Sequence, residues 1–446
     1  MAFESFSQFE AHLHGLGLFS MQLGLSRMHE ALGRMRLASP GCAVAHVVGT
    51  NGKGSTSGFL EAMARAHGLR TGLYISPHLV GVRERIRMDG RMVPEERWLE
   101  AANAVMDVCS DVGLTYFELL TVMALWLFAR ERLDLVVLEA GLGGTHDATC
   151  AVPADLAAMA PVGMDHEHVL GPTLAHIARD KAGALGRCPA VTGWQEPEVL
   201  AIFRTASAGQ PLWCLEDCRD GDGFLIPAEQ APLRFTQDML PGHPPYQLAN
   251  AGLALLAWSR LARARGWQFD ASLCTQALGR TRFSGRFRRH GKVLVDGAHN
   301  AMGLAALCDA LEGERFDRLV FQAMRDKTQD PAILARLRGL ASEVVIPALP
   351  GLERACDPAE LAGCFGGQGC PGPRFGAGRW RPGSVVRLPV PGRRVLRPAS
   401  RTPRTVRRPS VSALFRHIPS VDRILGELEQ DRTLGGLPRP LVKDLV

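Results

Sequence analysis

The segment His46-Val47-Val48-Gly49-Thr50-Asn51-Gly52-Lys53-Gly54-Ser55-Thr56 constrains this chain more than any other stretch. The apolar run over residues 42–48 reads as a short buried strand. Gly49, Gly52 and Gly54 then permit a tight turn whose amides can converge on phosphate oxygens. Lys53 supplies a cation, and Ser55 and Thr56 open a helix whose positive end faces the same anion. The pattern is a nucleotide phosphate loop with one departure from the common form: Gly54 separates the lysine from the hydroxyl residues. A plain glycine-rich turn would explain Gly49 and Gly52, but not a lysine flanked by glycines at the mouth of a helix.

Strand, loop and helix in this order require an α/β sheet around them, and the following sequence supplies one. Short apolar strands are predicted over 71–75, 134–139 and 156–162, alternating with helices over 58–67, 94–109, 115–132 and 177–185. A second βαβ-like unit is predicted after about residue 292, with strands over 293–296, 318–324 and 343–347 and helices over 301–311 and 331–340. The Arg- and Gly-rich stretch 281–289 is a plausible hinge. At 446 residues the chain is too long for one ordinary core. The expected domains are 1–285, a parallel-sheet unit of P-loop ATPase type, and 286–365, a smaller Rossmann-like α/β unit.

The formal charge of +6 is local. Residues 366–410 hold eleven arginines and no acid, so the remainder of the chain stands at six less eleven, −5, which argues against nucleic acid as a partner. The stretch 366–446 is Arg-, Pro- and Gly-rich without apolar periodicity, and it is expected to be a disordered tail. No apolar run is long enough and uncharged enough to span a bilayer, and the N-terminus lacks the order of a secretory signal. The eleven scattered cysteines form no zinc set, and reduced thiols in a cytoplasmic protein are expected.

Several residues at strand ends have the chemistry that a bound nucleotide needs. Glu139 closes the strand DLVVLE and enters the glycine loop Ala140-Gly141-Leu142-Gly143-Gly144. At that edge of a parallel sheet, magnesium ligation is the favoured reading, and a capping or ion-paired carboxylate the bland one. His166, in Met164-Asp165-His166-Glu167-His168, follows another strand, where a histidine is more often structural. Lys181 would by default be a solvated helix lysine, and Asp296 and His299 of Asp296-Gly297-Ala298-His299-Asn300 could form an Asx-type turn.

Taken together, GTNGKGST, SPHL, LTYFE, EAGLGG-x-x-DAT, MDH, DKAG, GRF and DGAHN resemble the folylpolyglutamate synthase/dihydrofolate synthase family of the Mur-ligase superfamily, over residues 17–361. The resemblance implies an ATP-dependent amide ligase that joins glutamate to a pteroate or folate carboxylate through an acyl phosphate. It implies ATP contacts at Gly49, Thr50, Asn51, Gly52, Lys53, Gly54, Ser55 and Thr56, and at Asn250, Arg286, Asp296 and His299. Ser76 and Glu139 resemble ligands of one Mg2+ and His166 a ligand of a second, with Lys53, Lys181 and His166 as the catalytic set. Lys181 matches a lysine that the family holds as a carbamate. The pterin-bearing substrate would be met by Gly24, Leu25 and Ser26, by Thr115, Tyr116 and Phe117, and by His146, Asp147 and Ala148, although the two aromatics could equally be core residues. A monomer acting on small molecules is expected.

Departures from the family pattern fall at Thr145, Cys150 and Ser26, near the expected folate pocket. The resemblance also stops abruptly near Gly366, as a disrupted reading frame would make it do. The rival readings are a genuine basic tail, a nucleotide-binding remnant without turnover, and a related Mur-type ligase. The last is weakened because the phosphate loop arrives by Gly49, leaving little room for a separate uridine-nucleotide domain.

Overall fold

The computed structural model describes residues 2–17, 22–37, 41–325, 327, 330–349, 354–365 and 385–389. The chain divides into two compact units, Met1–Gly297 and Ala298–Val446.

The first unit is organised by an eight-stranded sheet. Its strands are β1 (Ala43–Val48), β2 (Thr71–Tyr74), β3 (Ile86–Met88), β4 (Arg91–Met92), β5 (Leu135–Glu139), β6 (Leu156–Met159), β7 (Ala190–Thr192) and β8 (Leu212–Cys214). Their order is β4-β3-β2-β5-β1-β6-β7-β8, parallel from β2 to β8, with β3 and β4 added antiparallel at one edge. In β1 every residue is buried, because helices cover both faces of a parallel sheet. Alternation along β1 separates two cores. Val44 packs with Tyr74, Val136 and Leu138 beneath the helices α1 (Phe6–Leu16), α2 (Ser26–Met35), α4 (Glu95–Cys109) and α5 (Tyr116–Ala129). Ala43, Ala45 and Val47 pack on the other face against α3 (Lys53–Ala66) and α9 (Tyr246–Arg265). Between these come α6 (Glu167–Leu170), α7 (Leu174–Lys181) and α8 (Pro197–Ala206).

Three expectations need correction. The helix after the phosphate loop begins at Lys53, two residues before the expected Ser55-Thr56 opening and five before the apolar stretch 58–67, because Gly52 at φ +87° turns the chain directly into it. Val293–Val295 does not open a βαβ unit. It pairs antiparallel with Arg288–His290, and Gly291 at φ +57° makes the tight reversal between them. Within the stretch expected to be a disordered tail, Val385–Pro389 is a strand paired antiparallel with Ala341–Pro347, from Glu343 opposite Pro389 to Pro347 opposite Val385. Its Val-Val-Arg-Leu-Pro run is too short to stand out in arginine-rich surroundings. The rest of residues 366–446 lies outside the described residues.

In the second unit Phe316–Val320 runs parallel to Ala341–Pro347, flanked by the helices Ala301–Ala310, Pro331–Gly339 and Pro358–Phe365. No helix among the described residues is long and apolar enough to cross a membrane. Cys42, Cys109, Cys150, Cys188, Cys214, Cys218, Cys274, Cys308 and Cys356 are free thiols, as expected, whereas Cys364 is disulfide-bonded.

Candidate functional site at the carboxyl edge of the sheet

The segments that leave the carboxyl ends of β1, β2, β5 and β6 supply, in turn, the phosphate loop, Ser76, Glu139 and Asp165-His166. Because β2, β5, β1 and β6 are neighbours in the sheet, four separated stretches of sequence meet at one edge.

The loop is held from below. The amides of Thr50 and Asn51 donate to the Pro161 carbonyl at 2.9 and 3.3 Å, and the Thr50 hydroxyl donates to Gly163 O at 3.1 Å. These two amides therefore fix the loop and do not line a cradle for phosphate. Helical bonding begins where the Thr56 amide donates to Gly52 O at 2.9 Å. The amides of the turn before it, on Lys53, Gly54 and Ser55, are left to face outward along the axis. The glycines leave no room for side chains here. A Cβ on Gly52 would collide with Asn250 Oδ1, and one on Gly54 would lie 3.2 Å from Arg286 Nη2 and 3.4 Å from Glu139 Oε2. Asn250, Arg286 and Glu139, far apart in sequence, thus crowd the loop.

Two lysines turn inward on the same carbonyl. Lys53 Nζ donates to Gly49 O at 3.1 Å and Thr50 O at 3.2 Å, and Lys181 Nζ donates to Gly49 O at 2.8 Å. Lys181 is buried and Lys53 half-buried. Burial pushes the Lys181 amine down to about 7, helped by the charge of Lys53 and opposed by Asp180, Asp165 and Asp147. Burial likewise lowers the Lys53 amine and raises the Glu139 carboxyl, each opposed by the other's charge. The Asp180 carboxylate accepts the Gly144 amide at 2.9 Å, which helps to hold the glycine loop after β5 against α7.

Glu139 Oε2 accepts the Ser76 amide at 2.9 Å, and this bond brings the SPHL segment to the end of β5. His166 stands at φ +55°, with Nε2 3.8 Å from Asp165 Oδ1. Among the described residues no three His, Cys, Asp or Glu side chains gather closely enough to hold a metal by themselves. Mg2+ fits such a site, because it binds through one or two carboxylates and takes its remaining oxygens from nucleotide and water. Thr56 Oγ1, in the first turn of α3, is buried without a hydrogen-bond partner among the described residues, a further oxygen at the same mouth.

Six of the residues expected to meet the pterin lie at the amino ends of α2 and α5. Leu25 precedes α2 and Ser26 begins it, and Thr115 caps α5. Arg27 Nε and Nη2 donate to the two oxygens of Glu118 at 3.0 and 2.9 Å, tying these helix ends together. Tyr116 is buried, and the Phe117 ring lies 5.6 Å from that of Tyr74 and against Gly141. Asp147 is buried and accepts from the Leu142 amide and from the amide and hydroxyl of Thr149. That role shapes the loop, whereas neighbouring His146 is exposed. Asp296 Oδ2 accepts from the Tyr246 hydroxyl at 3.1 Å and the Phe287 amide at 2.7 Å. His299 belongs to the second unit, beside the Asn300 that caps its first helix.

The dihydrofolate synthase/folylpolyglutamate synthase of Escherichia coli is 41% identical to this chain over 298 residues, covering 65% of this chain and 68% of that protein. That of Mycobacterium tuberculosis is 30% identical over 402 residues, covering 81% and 80%. This chain belongs to the dihydrofolate synthase/folylpolyglutamate synthase family. Its fold agrees with this membership. The structure of E. coli FolC in complex with DHPP and ADP matches with a TM-score of 0.72 at 30% identity, covering 81% of this chain and 88% of that one. The M. tuberculosis folylpolyglutamate synthase complexed with ADP matches at 0.71 and 27% identity, covering 81% and 86%. A probable bifunctional folylpolyglutamate synthase/dihydropteroate synthase of Haloferax volcanii is 34% identical over 79% of this chain, which spans 44% of that protein's length. The family model for the selenocysteine synthase N terminus matches residues 415–446, outside the described residues.

Within the family's pattern, two of the departures have structural roles. Thr145 donates its hydroxyl to Asp180 O at 2.8 Å and packs against Gly183, while Cys150 is a buried core thiol. Sequence reasoning missed Gln247, which is buried and donates from Nε2 to Ser55 Oγ at 3.0 Å. Its signal was its place three residues before Asn250 on the same helix face.

Proposed function

We propose that this chain is an ATP-dependent ligase that adds L-glutamate to dihydropteroate, to tetrahydrofolate (poly)glutamates, or to both. The observation that carries the reading is the meeting of Lys53, Glu139, Lys181, Asn250 and Arg286 around one glycine loop, with the Phe117 ring packed against Gly141 of the neighbouring glycine loop. A carboxylate oxygen of the pteroyl substrate attacks the γ-phosphorus of ATP, and the bond to ADP breaks. The glutamate amine then attacks the acyl carbon, loses a proton, and phosphate departs.

Lys53 and the first-turn amides of α3 hold the phosphates in line and balance the charge that spreads over them in the transition state. Glu139 and Ser76 would hold one Mg2+ and His166 a second. When bound, the metal supplies charge neutralisation on the phosphate oxygens. Lys181, with its amine pushed down to about 7, is suited to carbamylation, since a carbamate forms on the neutral amine. Asp296 and His299 are further proposed ATP contacts. Gly24 to Ser26, Thr115 to Phe117 and His146 to Ala148 are the proposed pteroyl contacts, with Asp147 acting through the shape of its loop.

ATP hydrolysis measured with glutamate plus dihydropteroate, plus tetrahydrofolate, or with neither tests the function. Turnover that requires one of the pteroyl substrates is expected, and no stimulation by either would overturn the reading.

A further inference from the structure

Gln247 and Asn250 lie three residues apart on one face of α9, and both are buried. The Asn250 side-chain amide donates from Nδ2 to Gln247 Oε1 at 3.0 Å, and Gln247 in turn donates from Nε2 to Ser55 Oγ at 3.0 Å. Each bond fixes the orientation of the next. With its oxygen turned to Asn250, the Gln247 amide can present only N–H to the serine, so the serine oxygen is an acceptor in that bond. Its own O–H is then left to donate elsewhere, and Ser55 stands in the first turn of α3, at the phosphate end of the loop. The other end of the chain points the same way. Asn250 Oδ1 lies so close to Gly52 that a Cβ there would collide with it.

We propose that Gln247 is a positioning residue for ATP that sets the proton direction of Ser55. The relay Asn250 to Gln247 to Ser55 makes the serine hydroxyl a donor toward the nucleotide phosphates and couples it to the asparagine across the loop. The proposal rests on the ligase reading above. It adds a residue that need not touch nucleotide, reached through a buried bond 192 residues long in sequence. Reversing the relay should therefore matter more than breaking it. A carboxylate at position 247 still accepts from Asn250 but can only accept from Ser55, which would draw the serine proton away from the phosphate.

The experiment compares the parent, Gln247→Glu, Gln247→Leu, Ser55→Ala and the double variant Gln247→Glu/Ser55→Ala in the full chain. The parent's pteroyl-dependent ATP turnover is measured first, so failure of the ligase reading shows separately. Gln247→Glu should lower kcat/KM for ATP by about 10- to 100-fold, the range for losing a hydrogen bond to a charged group. Gln247→Leu should lower it less, and KM for glutamate should stay within about twofold of the parent in both. In the Ser55→Ala background the glutamate substitution should cost little more, because its route to the nucleotide is gone. Equal, additive losses in both backgrounds, or equal losses in the KM values of ATP and glutamate, would overturn the relay. Circular dichroism and thermal melting identify a variant that has not folded. In that case Gln247→Leu against Ser55→Ala/Gln247→Leu supplies the same cycle with an uncharged side chain.

Discussion

At the scale of single residues, the site is decided by where burial meets charge. Lys181 is the clearest case. Its amine is brought down to about 7, so the neutral form that a carbamate needs is plentiful at and above neutrality and vanishes as pH falls. Activity of the parent is expected to drop below about pH 7. Lys181→Ala should be nearly inactive at every pH and partly rescued by a short carboxylic acid in solution; full activity of the variant would eliminate the carbamate. Steady-state rates across pH make the comparison, and density beyond the amine in a difference map would confirm it. Glu139 tells a parallel story for the metal. Glu139→Gln keeps an oxygen for the Ser76 amide but removes the charge, so the magnesium concentration giving half-maximal rate should rise about tenfold or more. His166→Ala should raise it as well, and unchanged magnesium titrations in both variants would count against a metal there.

At the scale of elements, two helix ends and one strand carry the argument. Thr115 and Glu118 form a capping box at the start of α5, and the same Glu118 carboxylate pairs with Arg27 of α2. Glu118→Ala removes the half of the box that accepts the Thr115 amide and leaves the Arg27 guanidinium without its carboxylate, with only the Gln22 carbonyl. A loss of about 1–3 kcal/mol is expected, read as a lower urea midpoint. Because Ser26 and Thr115, two of the proposed pteroyl contacts, sit at these helix ends, KM for that substrate should rise as well. In β1, His46 is buried with Nε2 lacking a hydrogen-bond partner among the described residues, and burial lowers its ring to about 4 from 6.5. The unfolded chain therefore takes up the proton first. The folded state loses stability as pH falls from 6.5 towards 4, by about 3 kcal/mol in all. Replacing His46 with methionine should flatten that acid limb in urea midpoints measured across the window; an equally steep limb would assign the acid sensitivity to other groups.

At the scale of the whole molecule, nucleotide binding and folding are linked. A ligand that binds only the folded state at a hundred times its Kd adds about 2.7 kcal/mol. Magnesium ATP should therefore raise the parent's melting temperature, while Lys53→Ala should melt like the parent without nucleotide and gain little with it. A full shift in the variant would remove Lys53 from the phosphate site. Toward the C-terminus, nucleotide sequence across codons 355–446 tests the reading-frame proposal: a family-like ending in a shifted frame supports it, and its absence ends it. The phosphate loop, its strand and the order of motifs were legible in the sequence, because a glycine pattern and a run of buried apolar residues are local requirements written in consecutive positions. Helix starts were less legible where a left-handed glycine, as at Gly52, replaces an apolar signal. The hairpin at Gly291 and the strand Val385–Pro389 were read otherwise, since pairing partners are a property of the sheet and not of the strand. What only the tertiary structure decided is which distant side chains meet: Gln247 with Ser55, Arg27 with Glu118, and Lys181 and Lys53 on one carbonyl. Spacing along the chain says nothing of these contacts, because they form only when the parallel sheet brings the ends of β1, β2, β5 and β6 to one edge and the helices close over it.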